Sequence, residues 1–299
     1  MFDITPTIDC AGRPLKLDRT RVMGIVNVTP DSFSDGGAFA GVDDAVAHGL
    51  RLVGEGADLL DVGGESTRPG AAGVGVDEEL RRVIPVIERL ARETEVPISI
   101  DTSKPDVMRA AIAAGAGMVN DVRALRGDGA LDAAAALRVP VVLMHMQGEP
   151  RSMQDAPDYE DVVADVHRFL AERIFACEMA GIDKKRIVID PGFGFGKTSA
   201  HNLALLAQLQ RFTELGVPVL AGLSRKTTIG ELTGRDVPAE RVHGSVAAHV
   251  IAAQRGARIV RVHDVAATVE ALKVWEAVAA VPVPRAPPVR GAVQWPDDG

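Results

Sequence analysis

The feature that most constrains this chain is a rhythm. Short apolar runs suited to buried strands recur at 22–26, 58–62, 97–101, 117–120, 139–144, 186–190, 217–221 and 258–262. Between them lie stretches whose apolar residues keep helical spacing, at 43–55, 77–93, 105–114, 130–137, 159–180, 200–213, 238–255 and 264–279. Strand alternating with helix implies crossover connections, and so a parallel sheet. Parallel strands are covered on both faces and read as continuous aliphatic runs. Aromatic residues make up only 4% of this chain, so its core has to be built from Val, Ile, Leu and Ala. About eight strand–helix units in about 250 residues is the count of a (β/α)8 barrel. An open doubly wound sheet usually carries a Gly-x-Gly-x-x-Gly turn after its first strand, and none follows Val26. The expected fold class is therefore α/β, a (β/α)8 TIM barrel over 1–280. Residues 7–17, with Ala-Gly-Arg-Pro in their middle, read as a short N-terminal hairpin. Residues 281–299, interrupted by Pro282, Pro284, Pro287, Pro288 and Pro296, read as a Pro-rich extended or disordered tail.

Several function classes drop out. A net charge of −8 argues against a general binder of nucleic acid or anionic membrane. No apolar stretch approaches the roughly 18 residues a membrane span needs. The first residues lack a basic patch followed by an apolar run, so no signal peptide is expected. Cys10 and Cys177 are the only cysteines and form no ligand-spaced cluster, which predicts a reducing, cytoplasmic setting and no zinc site.

Polar residues concentrate where strands end. Asn27, Asp61, Asp101, Asn120, His145 and Asp190 each close an apolar run, and Lys226 and His263 lie just past the last two. One such Asp is more often a helix cap. So many on one predicted rim fit an active site, because barrel strands deliver their C-terminal ends to a common face. The loop Asn-Val-Thr-Pro-Asp-Ser-Phe-Ser-Asp-Gly-Gly at 27–37 is too polar for core and too rich in acceptors for a plain turn. A second loop, Gly-Gly-Glu-Ser-Thr-Arg-Pro-Gly at 63–70, offers hydroxyls and a cation. Asp-Pro-Gly-Phe-Gly-Phe-Gly-Lys-Thr at 190–198 resembles a phosphate loop but fails its spacing, since Pro191 stands where the first glycine should be. Its glycines are expected to turn Phe193 and Phe195 toward a pocket. Ser-Arg-Lys-Thr-Thr at 224–228 opens a helix and suits an anion. Strand alternation puts Arg261 and His263 on one side, where they can grip a phosphate together. Asp101, Asn120 and Asp190 match the donor–acceptor edge of a flat heterocycle, and Lys226 can donate to a ring nitrogen or carbonyl. Asn27 carries a hard oxygen suited to Mg²⁺ shared with phosphate.

Taken in order, the motifs at 23–37, 63–70, 190–197, 224–226 and 261–263 resemble the dihydropteroate synthase family over about 7–278. The resemblance implies a pterin-binding barrel that joins 6-hydroxymethyl-7,8-dihydropterin pyrophosphate to p-aminobenzoate in folate synthesis, the step sulfonamides target. It places the pterin on Asp101, Asn120, Asp190 and Lys226. It places pyrophosphate on Asn27, Arg68, Arg261 and His263, with Mg²⁺ at Asn27. The p-aminobenzoate slot falls on Phe33, Thr67, Pro69, Phe195, Lys226 and Thr227. Asp101 and Asp190, helped by Asp35, would oppose a pterin cation, and the loops at 28–41 and 63–76 would close over it. A homodimer through the late helices is the family's habit. Thr227 departs from the Ser common in the family, and the tail is outside its pattern. A pterin-binding domain of a corrinoid-dependent methyltransferase is the alternative activity, and a barrel that binds without catalysis is a third reading.

Overall fold

The computed structural model describes residues 6–29, 37–66, 73–148 and 157–282. The chain opens with the expected hairpin, β1 (Thr7–Cys10) antiparallel to β2 (Arg13–Lys16). Both residues of its turn have positive φ, 53° at Ala11 and 87° at Gly12, the handedness that matches twisted strands in a tight hairpin.

Eight parallel strands follow: β3 (Arg21–Asn27), β4 (Leu59–Gly63), β5 (Ile98–Asp101), β6 (Met118–Asp121), β7 (Val141–Met144), β8 (Ile187–Asp190), β9 (Val219–Ala221) and β10 (Ala257–Val262). Each overlaps its expected run. They pair in chain order, and β10 returns to β3 to close the barrel. The outer ring is α1 (Gly37–Gly54), α2 (Val76–Glu93), α3 (Pro105–Ala113), α4 (Ala130–Leu137), α5 (Val162–Met179), α6 (Ser199–Ala207), α7 (Gln210–Thr213), α8 (Thr227–Thr233), α9 (Val242–Gln254) and α10 (Val265–Ala279).

Four helical expectations change. The helix expected over 43–55 starts earlier, at Gly37. The helix expected over 159–180 starts at Val162, because the Asp161 carboxylate caps the N–H groups of Val163 and Ala164. The one expected over 200–213 is two, α6 and α7, and the break at Gln208 lets Leu209 and Phe212 both bury completely. In 238–255, Pro238 opens a separate 3₁₀ turn (Pro238–Glu240) before α9. The tail expected beyond 281 lies outside the described residues from 283 onward.

Strand alternation sorts the core into two shells. Outward residues such as Leu60, Val62, Ile98, Ile100, Val141, Leu143, Ile187 and Ile189 pack under the helices. Inward, Met23, Leu59, Met118, Val142, Val188, Leu220 and Ile259 meet Ile8, Cys10, Leu15 and Leu17 of the hairpin segment. The hairpin thus plugs the barrel at its N-terminal end. Each Leu or Ile it buries contributes about 2 kcal/mol. The seat is close: a Cβ on Gly117 would stand 2.3 Å from the Cys10 carbonyl oxygen.

At the other end the register aligns polar residues. Asn27 pairs with Gly63, Gly63 with Asp101, and Asp101 with Asn120, in one row across four strands. Met144 pairs with Asp190 further round.

Candidate active site

The inward face that is apolar at the hairpin end turns acidic toward this rim. Asp61, two residues beyond Leu59 on β4, is fully buried. Its Oδ2 accepts from Arg261 Nε at 2.6 Å and from Asn120 Nδ2 at 3.0 Å. Its Oδ1 is buried without a partner among the described residues. Arg261 reaches on through Nη2 to Asp101 Oδ2 at 2.9 Å. Four strands, β4, β5, β6 and β10, are tied by these three bonds.

Asp190 ends β8, and its Oδ1 accepts from the Gly192 N–H at 2.7 Å. Gly222, just past β9, separates it from Arg261; a Cβ there would lie 3.9 Å from both Asp190 Oδ2 and Arg261 Cβ. Lys226 crosses the glycine turn, with Nζ 4.2 Å above the Phe195 ring, a cation–π contact. Thr227, exposed, begins α8 beside it.

Burial dominates the electrostatics. It pushes the Asp101 carboxyl up to about 7, against the pull of Arg261 and with the repulsion of Asp61. It pushes Asp190 up to about 6, opposed by the Gly192 N–H and Lys226. It brings Lys226 down to about 8, helped by Arg261 and opposed by Asp190 and Asp101. The mouth therefore mixes carboxylates and cations that titrate near neutrality, which suits a flat ring with alternating donors and acceptors.

The glycine turn has a physical reason. Gly192 has φ 71°, and a Cβ there would sit 1.8 Å from the His145 carbonyl oxygen; Gly196 has φ 61° and the same constraint at Gln147, at 2.4 Å. Only one aromatic of the pair serves the mouth. Phe195 packs with Val122, Met144 and Met146 below Lys226. Phe193, expected to face a pocket as well, is instead buried between barrel and helices, because positive-φ Gly194 between them sends the two rings opposite ways. Lys197, in the motif that failed as a phosphate loop, is buried and clamps the turn: Nζ meets His145 Nδ1 at 2.9 Å and the carbonyls of Gly192 and Phe195 at 2.9 and 3.0 Å.

The loop that carries Lys226 is held equally firmly. Leu223 N–H donates to His249 Nε2 at 3.2 Å, and Arg225 N–H to Ser245 Oγ at 2.9 Å. Arg225 itself sits at φ 56°, its carbonyl held by Arg241 and its guanidinium forked onto Asp264 at 3.0 and 2.6 Å. A non-glycine residue keeps such a backbone only where its surroundings enforce it.

Arg261 and His263 point into adjoining spaces. Arg261 turns into the barrel. His263 bonds Ser224 Oγ at 2.9 Å and lines a cavity of about 550 Å³ with His48, Arg51 and Arg225. Burial, with Arg261 and Arg225 nearby, holds its imidazole down to about 3. Asn27 stands on the rim at the end of β3. Among the expected site residues, then, Asp101, Asn120, Asp190, Lys226, Phe195 and Arg261 come together, with Asn27, Thr227 and His263 around them. Phe33, Asp35, Thr67, Arg68 and Pro69 lie outside the described residues. Sequence reasoning misses Asp61 and Lys197 as site residues: Asp61, expected to close its strand, lies mid-strand on β4 before Val62 and Gly63, and its one signal is a carboxylate inside an apolar run, while Lys197 has none beyond its motif.

Known proteins resemble this chain along most of its length. A profile of the family described as pterin binding enzyme matches residues 23–263. Dihydropteroate synthase of Escherichia coli K12 is 55% identical over 266 residues, covering 89% of this chain and 94% of that protein. Dihydropteroate synthase of Xanthomonas albilineans, solved with 4-aminobenzoic acid, superposes with a TM-score of 0.89 at 73% identity, covering 93% of this chain and all of that one. The same organism's enzyme in complex with 7,8-dihydropteroate gives a TM-score of 0.85 at 70% identity over the same shares.

Proposed function

The chain belongs to the pterin-binding enzyme family, among its dihydropteroate synthases, and on that footing we propose that its barrel mouth condenses 6-hydroxymethyl-7,8-dihydropterin pyrophosphate with p-aminobenzoate. The products are 7,8-dihydropteroate and pyrophosphate, and the reaction is a group transfer. The observation that carries the site assignment is the gathering of Asp101, Asn120, Asp190, Lys226 and Arg261 at one rim, through contacts that span up to 200 positions of chain.

In this reading Asp101, Asn120 and Asp190 hydrogen-bond the pterin edge and Lys226 donates to the ring. The C–O bond to the diphosphate breaks, and its electron pair leaves with pyrophosphate. Positive charge left on the pterin's exocyclic carbon is opposed by the Asp101 and Asp190 carboxylates, fixed in place beforehand. The neutral amine of p-aminobenzoate then forms the C–N bond, and the ammonium so formed gives its proton to the released pyrophosphate or to water. Lys226, Thr227 and the Phe195 ring frame its aromatic acid. Arg261 and His263 receive the diphosphate from two sides. Roles for Phe33, Asp35, Thr67, Arg68 and Pro69 rest on the family resemblance.

Among the described residues no group of three or more His, Cys, Asp or Glu side chains could hold a metal. One carboxamide oxygen at Asn27 fits an ion shared with a substrate diphosphate, as Mg²⁺ is commonly bound. So held, Mg²⁺ would neutralise charge on the departing pyrophosphate. A cytoplasmic setting is supported by two free, buried thiols, which burial pushes up to about 12 at Cys10 and about 11 at Cys177; no described helix is long and apolar enough to cross a membrane. Pairing of two copies is supported by an apolar groove between α6, α8 and α9, where Leu203, Leu232 and Ile251 are exposed beside Leu206, Ile229 and Ala248.

The test is direct. Purified protein with both substrates and Mg²⁺ is expected to release dihydropteroate and pyrophosphate in equal amounts. No dihydropteroate above the protein-free background refutes the reading.

A further inference from the structure

We infer that Asp61 is a positioning residue of this site: by holding Arg261 from within the barrel, it keeps the Asp101 carboxylate free to receive the pterin. The inference rests on the pterin-binding reading above. Asp61 is completely buried and lies one layer below the rim, two positions before Gly63 in the row that contains Asp101. A carboxylate taken that far from water is costly unless it is paired and hydrogen-bonded. Its Oδ2 has both kinds of partner, the Arg261 guanidinium and the Asn120 amide. Asn120 is the register neighbour of Asp101, so the side-chain path Asn120–Asp61–Arg261–Asp101 begins and ends on adjacent strands. Both of its ends are groups assigned to the pterin, and Asp61 is its hub.

The consequence concerns how Arg261 is shared. Its guanidinium has two carboxylate partners, Asp61 through Nε and Asp101 through Nη2. With Asp61 present, Arg261 is anchored by the inner acid and claims one oxygen of the outer one. Without that anchor the guanidinium is left to Asp101 alone, in competition with substrate. The charged groups that act on Asp101 are Arg261 from β10, Asp61 from β4, Asp121 from β6, Glu79 from α2 and Lys226 at the start of α8. Burial holds Asp101 up, Asp61 and the other acids push the same way, and Arg261 opposes them. Removing the Asp61 charge takes away a repulsion and gives Arg261 wholly to Asp101. Both changes favour the ionised form of Asp101.

The experiment is kcat/KM for the pterin diphosphate against pH, for the parent, Asp61→Asn, Arg261→Gln and the double variant. In the parent an acid limb is expected near 7, because burial pushes the Asp101 carboxyl up to about 7. Asp61→Asn should move that limb to lower pH by about one unit and lower the plateau about tenfold. In the Arg261→Gln background the same change should cost less than about twofold, because both act on one contact. A limb that stays or moves up, or costs that multiply in the double variant, overturns the inference. If Asp61→Asn alone does not fold, the double variant, which buries no displaced guanidinium, should recover the parent's thermal transition; failure to recover also overturns it. A parent without dihydropteroate synthesis refutes the functional reading instead, so the two failures are distinct.

Discussion

Asp190→Asn should make this protein more stable and less active, and the gain should depend on pH. Asp190 is buried, and its carboxyl is pushed up to about 6 from an ordinary value of 3.8, chiefly by burial. That value already includes the attraction of Lys226, Lys197 and Arg261 and the Gly192 N–H bond. A carboxyl raised on folding contributes its full stability below about pH 4 and loses it as pH rises through about 6. A rise of about two pH units is worth about 3 kcal/mol once the group is ionised. Asparagine copies the shape of the neutral acid, and its Oδ1 can still accept from Gly192. The variant should therefore gain up to about 3 kcal/mol at pH 8, or about 6 °C in Tm for a domain of this size. The gain should shrink through pH 6 and vanish near pH 4. Thermal unfolding followed by circular dichroism at the three pH values reads the difference. Turnover should fall about 100-fold in parallel, because a fixed carboxylate facing the developing cation is gone. A variant no more stable than the parent at pH 8, or a gain equal at pH 4 and pH 8, would refute the electrostatic account.

Three further outcomes follow from the same structure. Asp101→Asn should weaken pterin binding about 100-fold by calorimetry in protein whose thermal transition is no lower than the parent's, since burial also raises the Asp101 carboxyl; unchanged affinity removes Asp101 from the pocket. Leu15→Ala, in the hairpin that plugs the barrel, should cost about 3 kcal/mol in chemical denaturation and change kcat less than about twofold, since it sits at the end away from the rim; a large loss of kcat in folded protein would contradict that separation. If the parent sediments as the proposed dimer at micromolar protein, Ile251→Asp, on the apolar groove of α9, should convert it to monomers, and a variant that still sediments as a dimer would exclude this face as the contact.

Local pattern decided a great deal here. Eight aliphatic runs separated by helical spacing leave a closed parallel barrel as the economical way to bury every run on both faces. The hairpin, the rim location of Asn27, Asp101, Asn120 and Asp190, and the tight turn at 192–196 are equally local. Each depends on alternation, on a strand's end, or on residues that accept positive φ. These signals act over a few residues, so they survive without knowledge of the rest of the chain.

Tertiary structure alone decided which of those groups touch. Nothing near Arg261 in the chain says that its guanidinium spans Asp61 and Asp101, which stand 200 and 160 positions away. That pairing depends on strand register and on β10 closing against β3. Nor does the spacing of Phe193 and Phe195 tell that one enters the core and the other lies under Lys226; the backbone sign at Gly194 settles it. Lys197 looks like a failed phosphate loop until its ammonium is seen filling a ring of carbonyls. Periodicity encodes which face a residue takes, whereas closure of the barrel sets its neighbours, because a long-range contact is specified jointly by every strand between its partners.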